Sequence, residues 1–179
     1  MSLFGKRRVR VDRRASETLL LVGEGDAEFE FLQHLKSIYI YRGCGKAVTI
    51  KNAHGKGARN VVEHAIRQRK NADYDHCAAM FDTDTDWNTV LATYAHSKRI
   101  ITLPIDPCIE GLLLGIHNVP IAGQTSGQLK ALFRRTFGYV AHHPQVLLQH
   151  FPREKIEDTG SIDDSIFRLL KLIRPIQEP

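Results

Sequence analysis

Long hydrophobic runs are missing from this chain of 179 residues. A helix needs about 20 consecutive apolar residues to cross a bilayer, and the strongest apolar stretch, 109–116, falls far short. The start of the chain is basic, but no apolar region with a small-residue cleavage site follows, so no secretory signal is expected. Cysteine is scarce as well. Cys44, Cys77 and Cys108 stand far apart, which argues against a zinc knuckle or an even disulfide set and suits a reducing cytoplasm. There is no GxxxxGK[ST] phosphate loop, no GxSxG nucleophile elbow, no internal repeat and no low-complexity linker. Nor is the charge extreme: a net charge of +5 permits a polyanionic partner without requiring one. An apolar share of 42% and a charged share of 25% are those of a globular protein, long enough for one domain with a real core.

What is present is a regular alternation of short apolar runs and amphipathic stretches. Strands are expected at 18–22, 47–50, 76–81 and 99–103, the last ended by Pro104. Helices are expected at 26–38, 58–69 and 87–96. In the first helix Phe29, Leu32, Leu35 and Ile38 form the inner stripe, and in the third Val90, Leu91 and Tyr94 do. This order predicts an α/β chain with a Rossmann-like parallel sheet flanked by helices. Residues 1–17 read as a basic arm, 18–122 as the α/β core, and 123–179 as a mainly helical extension packed on it. In that extension Ser126 is placed as the cap of a helix through Leu129, Leu132 and Phe133, with Lys130, Arg134 and Arg135 as a solvated cationic face. Ser161 is placed as the cap of a last helix holding Ile162, Ile166, Leu169, Leu170 and Ile173.

The acidic residues are not scattered. The first strand runs out through Gly23-Glu24-Gly25-Asp26-Ala27-Glu28, and the third through Asp82-Thr83-Asp84-Thr85-Asp86. In an open parallel sheet, ligands bind beyond the carboxyl ends of the strands. Glu24, Asp82 and Asp84 are therefore expected in one crevice, and carboxylates so close call for a cation such as Mg²⁺. Glu28, Asp86 and Glu110 are the second-line acids. Glu110 stands out because it sits alone in an apolar helical run, where an unpaired charge is expensive. Asp26 reads as a first-turn acid favoured by the helix dipole, and Gly25 as the residue giving the turn room. Gly55-Lys56-Gly57 with Arg59 reads either as a plain turn or as a phosphate contact. The basic run 6–14 reads either as a solvated terminus or as a phosphate-contacting arm.

Several acidic motifs can be set aside. An EF-hand loop needs Gly at its sixth position and a carboxylate at its twelfth, where this chain has Trp87 and Thr93. A haloacid-type phosphatase would carry its aspartate pair after the first strand rather than the third. A receiver domain would put an acidic pair after strand one and a lone aspartate after strand three.

Val22-Gly23-Glu24-Gly25 followed by Phe81-Asp82-Thr83-Asp84 resembles the Toprim domain of primases, topoisomerases and overcoming-lysogenization-defect nucleases. Glu28, and Asp106-Pro107-Cys108-Ile109-Glu110 ahead of an apolar helix and His117, resemble the RloB-like branch more closely. That branch commonly shows Asn-Pro-Cys-Phe-Glu there, so Asp106 and Ile109 depart from it. The Toprim resemblance covers about 18–104 and the RloB-like one extends toward the C-terminus. It implies Mg²⁺-dependent phosphodiester chemistry (Mn²⁺ as an alternative) on DNA or RNA, a role in bacterial defence or restriction-linked loci, and a partner ATPase. Glu24 would serve as acid/base or metal ligand, Asp82 and Asp84 as metal ligands, and Lys56 and Arg59 as phosphate contacts. Two other functions remain open: a non-catalytic module that docks the ATPase, and a sensor of a small nucleotide.

Overall fold

Strand β1 (Glu17–Gly23) shows why the apolar runs do not alternate in polarity. Leu19 and Leu21 face one side of the sheet and Leu20 and Val22 the other, as the two-residue period of a strand requires. Both sides are covered by helices, so every position is apolar. The computed structural model describes residues 15–160 and 163–176. The basic run 6–14, and Ser161 with Ile162, lie outside the described residues.

Four parallel strands stand in the order β2-β1-β3-β4, with β2 at Lys46–Asn52, β3 at His76–Asp82 and β4 at Ile101–Ile105. Gly23 pairs with Met80 and Asp82 with Ile105. Helix α1 (Asp26–Tyr39) covers the Leu19 face, while α2 (Gly57–Asn71) and α3 (Thr89–Ser97) cover the Leu20 face. The chain is thus α/β with a Rossmann-like all-parallel sheet. Among the described residues five further helices follow: α4 (Ile109–Ile116), α5 (Ser126–Phe137), α6 (Pro144–His150), α7 (Arg153–Gly160) and α8 (Asp164–Ile173). They build one apolar layer with α1, because Phe133, Leu147, Phe151, Ile156 and Ile166 join the cluster that holds Leu19 and Leu21. Each such fully buried side chain is worth about 1.5–3 kcal/mol. Cys44, Cys77 and Cys108 are buried free thiols. Among the described residues, no helix is long and apolar enough to cross a membrane.

Several local expectations are corrected. Pro104 does not end the last strand but lies within β4. This strand is the sheet's edge, where a missing N–H costs no ladder bond, and the Pro104 carbonyl accepts a hydrogen bond from the Ser165 hydroxyl. In α1 the buried stripe is Phe31, Leu32, Leu35 and Tyr39, with Phe29 and Ile38 only half-buried, since a spacing of three lags behind the 3.6-residue turn. Helix α3 starts after Trp87, at an Asn88 cap whose side chain accepts the Leu91 N–H. It buries Leu91 and Ala95 and leaves Val90 72% exposed. Helix α5 is capped by Thr125 in reciprocal bonding with Gln128, not by Ser126. Helix α8 is capped by Asp163 on the Ile166 N–H.

Candidate active site at the sheet switch point

The order β2-β1-β3-β4 sends the chain to one side after β1 and to the other at β3. A crevice opens at that switch point, beyond the carboxyl ends of the two central strands. Glu24 is the first residue after β1. Its Oε1 accepts the Gly57 N–H at 3.2 Å and its Oε2 the Asp82 N–H at 3.2 Å, so the carboxylate spans from the start of α2 to the end of β3. Burial raises its pKa in spite of these two bonds, and the charges of Asp84 and Asp86 raise it further. Gly57 is required here: its φ is +80°, and a Cβ would meet Asp86 Oδ1 at 2.6 Å. The tight turn out of β1 depends on Gly23 rather than Gly25, since a Cβ on Gly23 would stand 2.9 Å from the Glu28 Cβ and the Phe29 nitrogen.

Glu28, in the first turn of α1, closes on the Gly25 N–H with Oε2 at 2.8 Å. Asp26 lies in the same first turn, as expected of a dipole-favoured acid, and also accepts a bond from the Asn52 amide. Asp82, the last residue of β3, takes the Ile109 N–H on Oδ1 at 3.0 Å, at the start of α4. Glu110 lies one residue into that helix, and its Oε2 has no hydrogen-bond partner. Glu28, Asp82 and Glu110 are 4%, 9% and 8% exposed. Burial first, and then the neighbouring charges of Glu28, Glu110 and Glu24, push the Asp82 carboxyl up to about 8. Glu28 is raised by burial, with Glu24 and Glu110 adding to it.

Glu24, Glu28, Asp82 and Glu110 line one cavity of about 820 Å³. The structure thus brings Glu24 and Asp82 together and adds the two second-line acids Glu28 and Glu110. Asp84 and Asp86 do not line it. Asp84 accepts a hydrogen bond from the Ser126 hydroxyl, and Asp86 accepts the Arg59 backbone N–H at 3.3 Å and the Thr85 hydroxyl at 3.2 Å. The two-residue spacing places Asp82 at the start of α4 and Asp84 at the start of α5. Lys56 and Arg59 are exposed at the start of α2 and are not part of the lining, although Gly55 is. His117 packs among the rings of Phe137 and Phe151.

The cations that line the cavity are Lys130, Arg134 and Arg135 of α5; all three are exposed, as the solvated face expected from the sequence requires. The nearness of this face to the acids goes beyond that expectation and follows from its place on the helix directly after the one carrying Glu110. Burial lowers the Lys130 pKa, but the Glu110 and Asp82 carboxylates outweigh it and raise the group overall.

Among the described residues, no group of three or more His, Cys, Asp or Glu side chains is arranged to hold a metal ion. The cavity does offer hard carboxylate oxygens from Glu24, Asp82 and Glu110, one of them the orphaned Glu110 Oε2. That donor chemistry fits Mg²⁺ or Mn²⁺, hard ions of which Mg²⁺ typically takes one or two carboxylates and fills its shell with water and phosphate oxygens. Comparison of the chain with family models, with curated proteins and with solved structures finds no match in any of the three.

Proposed function

We propose that the cavity is a metal-dependent phosphodiesterase site and the protein a nuclease acting on DNA or RNA. The observation that carries this reading is the cluster of Glu24 with the buried Glu28, Asp82 and Glu110, in which none is ion-paired among the described residues and Glu110 Oε2 has no hydrogen-bond partner. Buried carboxylates without cations are costly, and perturbed acids in a cleft are the mark of a functional site. Asp82 and Glu110 are the residues that would hold Mg²⁺, which typically takes one or two carboxylates. When bound, the ion polarises a phosphoryl oxygen and offsets charge on the leaving oxygen. Glu24 is fixed by two backbone N–H groups, and its raised pKa suits it to receive the proton of an attacking water. The Toprim resemblance implies the same chemistry.

The test is incubation of end-labelled single- and double-stranded DNA and RNA with Mg²⁺, Mn²⁺ or EDTA. Cutting that needs the ion and is lost in Asp82→Asn supports the reading, and intact substrates with folded, Mg²⁺-bound protein contradict it. A second reading, a small-nucleotide sensor, is favoured by the cavity's size, since about 820 Å³ lies in the range of small-ligand pockets. In that case a nucleotide with Mg²⁺ would raise the melting temperature and no polynucleotide would be cut.

A further inference from the structure

The cationic wall of the cavity is Lys130, one turn before Arg134 and Arg135 on α5, and among the described residues none of them forms an ion pair with a carboxylate. Yet they line the same cavity as four acids, so a gap separates the two charged surfaces. The helix that carries them is firmly seated. Leu129 and Phe133 are completely buried, Phe137 packs on the Phe133 and His117 rings at 4.7 and 5.0 Å, and the Ser126 hydroxyl is bonded to Asp84. Ala131, between the cations, keeps the wall low. Exposed cations and buried acids lining one cavity suit a phosphate group that meets the cations on one flank and the acids, through a metal, on the other.

The depth of the acids restricts what can reach them. Glu28, Asp82 and Glu110 are each less than 10% exposed, so a phosphate must enter the cavity. A flexible single strand can follow a phosphate into the cavity, whereas duplex, stiff over about 150 base pairs, does not bend into it.

We propose that Lys130, Arg134 and Arg135 are the phosphate-binding side chains of this site, in place of Lys56 and Arg59, and that they admit an unpaired nucleic-acid strand. This inference rests on the phosphodiesterase reading, but it is tested by binding rather than by cutting. Fluorescence anisotropy with labelled single-stranded DNA and RNA, and with the same sequences as duplexes, is measured in Ca²⁺, which takes the same oxygen ligands. Wild type is compared with Arg134→Gln/Arg135→Gln, Lys130→Gln and Lys56→Gln/Arg59→Gln, each checked by circular dichroism. The expected result is that wild type binds at least one single strand at least tenfold tighter than its duplex. The double α5 variant should lose about tenfold or more, with the slope of log K against log salt falling by about 1.4, while the Lys56/Arg59 variant stays within twofold. Equal binding of duplex and single strand, an unchanged α5 variant, a loss confined to the Lys56/Arg59 variant, or no binding of either polymer would each overturn it. Single-strand binding without cutting in Mg²⁺ would uphold this inference and overturn the hydrolase reading.

Discussion

The backbone N–H of Asp82 donates to Glu24 Oε2 at 3.2 Å, so one carboxylate of the site fixes the strand end that carries another. Because the Gly57 N–H takes the other oxygen of Glu24, both oxygens of this side chain are already acceptors. An amide in its place offers one acceptor and turns an NH₂ group toward the second donor.

Glu24→Gln is therefore expected to lower stability as well as activity. Leaving one part-buried N–H without its acceptor costs about 1–3 kcal/mol, which in a chain of this size lowers the melting temperature by about 2–12 °C. Thermal unfolding by circular dichroism reads this directly. A variant that melts like wild type would show that the two bonds do not hold the site together.

Asp82→Asn is expected to behave differently, because Asn keeps an Oδ1 for the Ile109 N–H. In wild type the Asp82 carboxyl is pushed up to about 8, by burial first and then by Glu28, Glu110 and Glu24, against an unfolded value of about 3.9. The folded chain thus holds a proton that the unfolded chain releases between these two values. Its contribution to stability is complete below about pH 4 and is lost as pH rises through about 8. Glu24 and Glu28, also raised, act in the same direction. Urea unfolding in EDTA from pH 5 to 9 should show stability declining in wild type and a shallower decline in Asp82→Asn. Parallel curves would contradict this.

Mg²⁺ requires these carboxylates deprotonated, so its binding should release protons and strengthen with pH. Calorimetry in buffers of different ionisation enthalpy is expected to show net proton release at pH 7 and a smaller release at pH 9. The rise in melting temperature on adding Mg²⁺ should be larger at pH 8 than at pH 6.

Gly57→Ala tests the backbone. A Cβ there would stand 2.6 Å from Asp86 Oδ1 at a φ of +80°, and the same residue's N–H holds Glu24. A loss of about 1–3 kcal/mol is expected from the strained conformation, together with reduced metal affinity. Gly55→Ala, with nothing within 4 Å of its Cβ but a φ of +80°, should share the backbone strain without the loss of metal affinity.

Much of this architecture is legible in the sequence. Runs such as Leu19–Val22 signal strands buried on both faces, and the acids that follow them mark the carboxyl ends where a parallel sheet opens its crevice. Glu24 and Asp82 meet for that reason. The aim of Asp84 is not legible, since it depends on where α5 comes to rest and offers Ser126. Nor is the aim of Lys130, Arg134 and Arg135, because a cationic helix face has the same spacing whether it meets solvent or an acidic wall. Pro104 misleads because nothing local tells an edge strand from a central one.

The most direct measurement of the central claim is single-turnover cleavage of a labelled single-stranded oligonucleotide in Mg²⁺. Wild type would be run beside Asp82→Asn and Glu110→Gln, each verified as folded. The account predicts cutting by wild type, abolished by EDTA, and a fall of about a hundredfold or more in both variants. Undiminished cutting by both variants, or no cutting by wild type saturated with substrate and Mg²⁺, would contradict it.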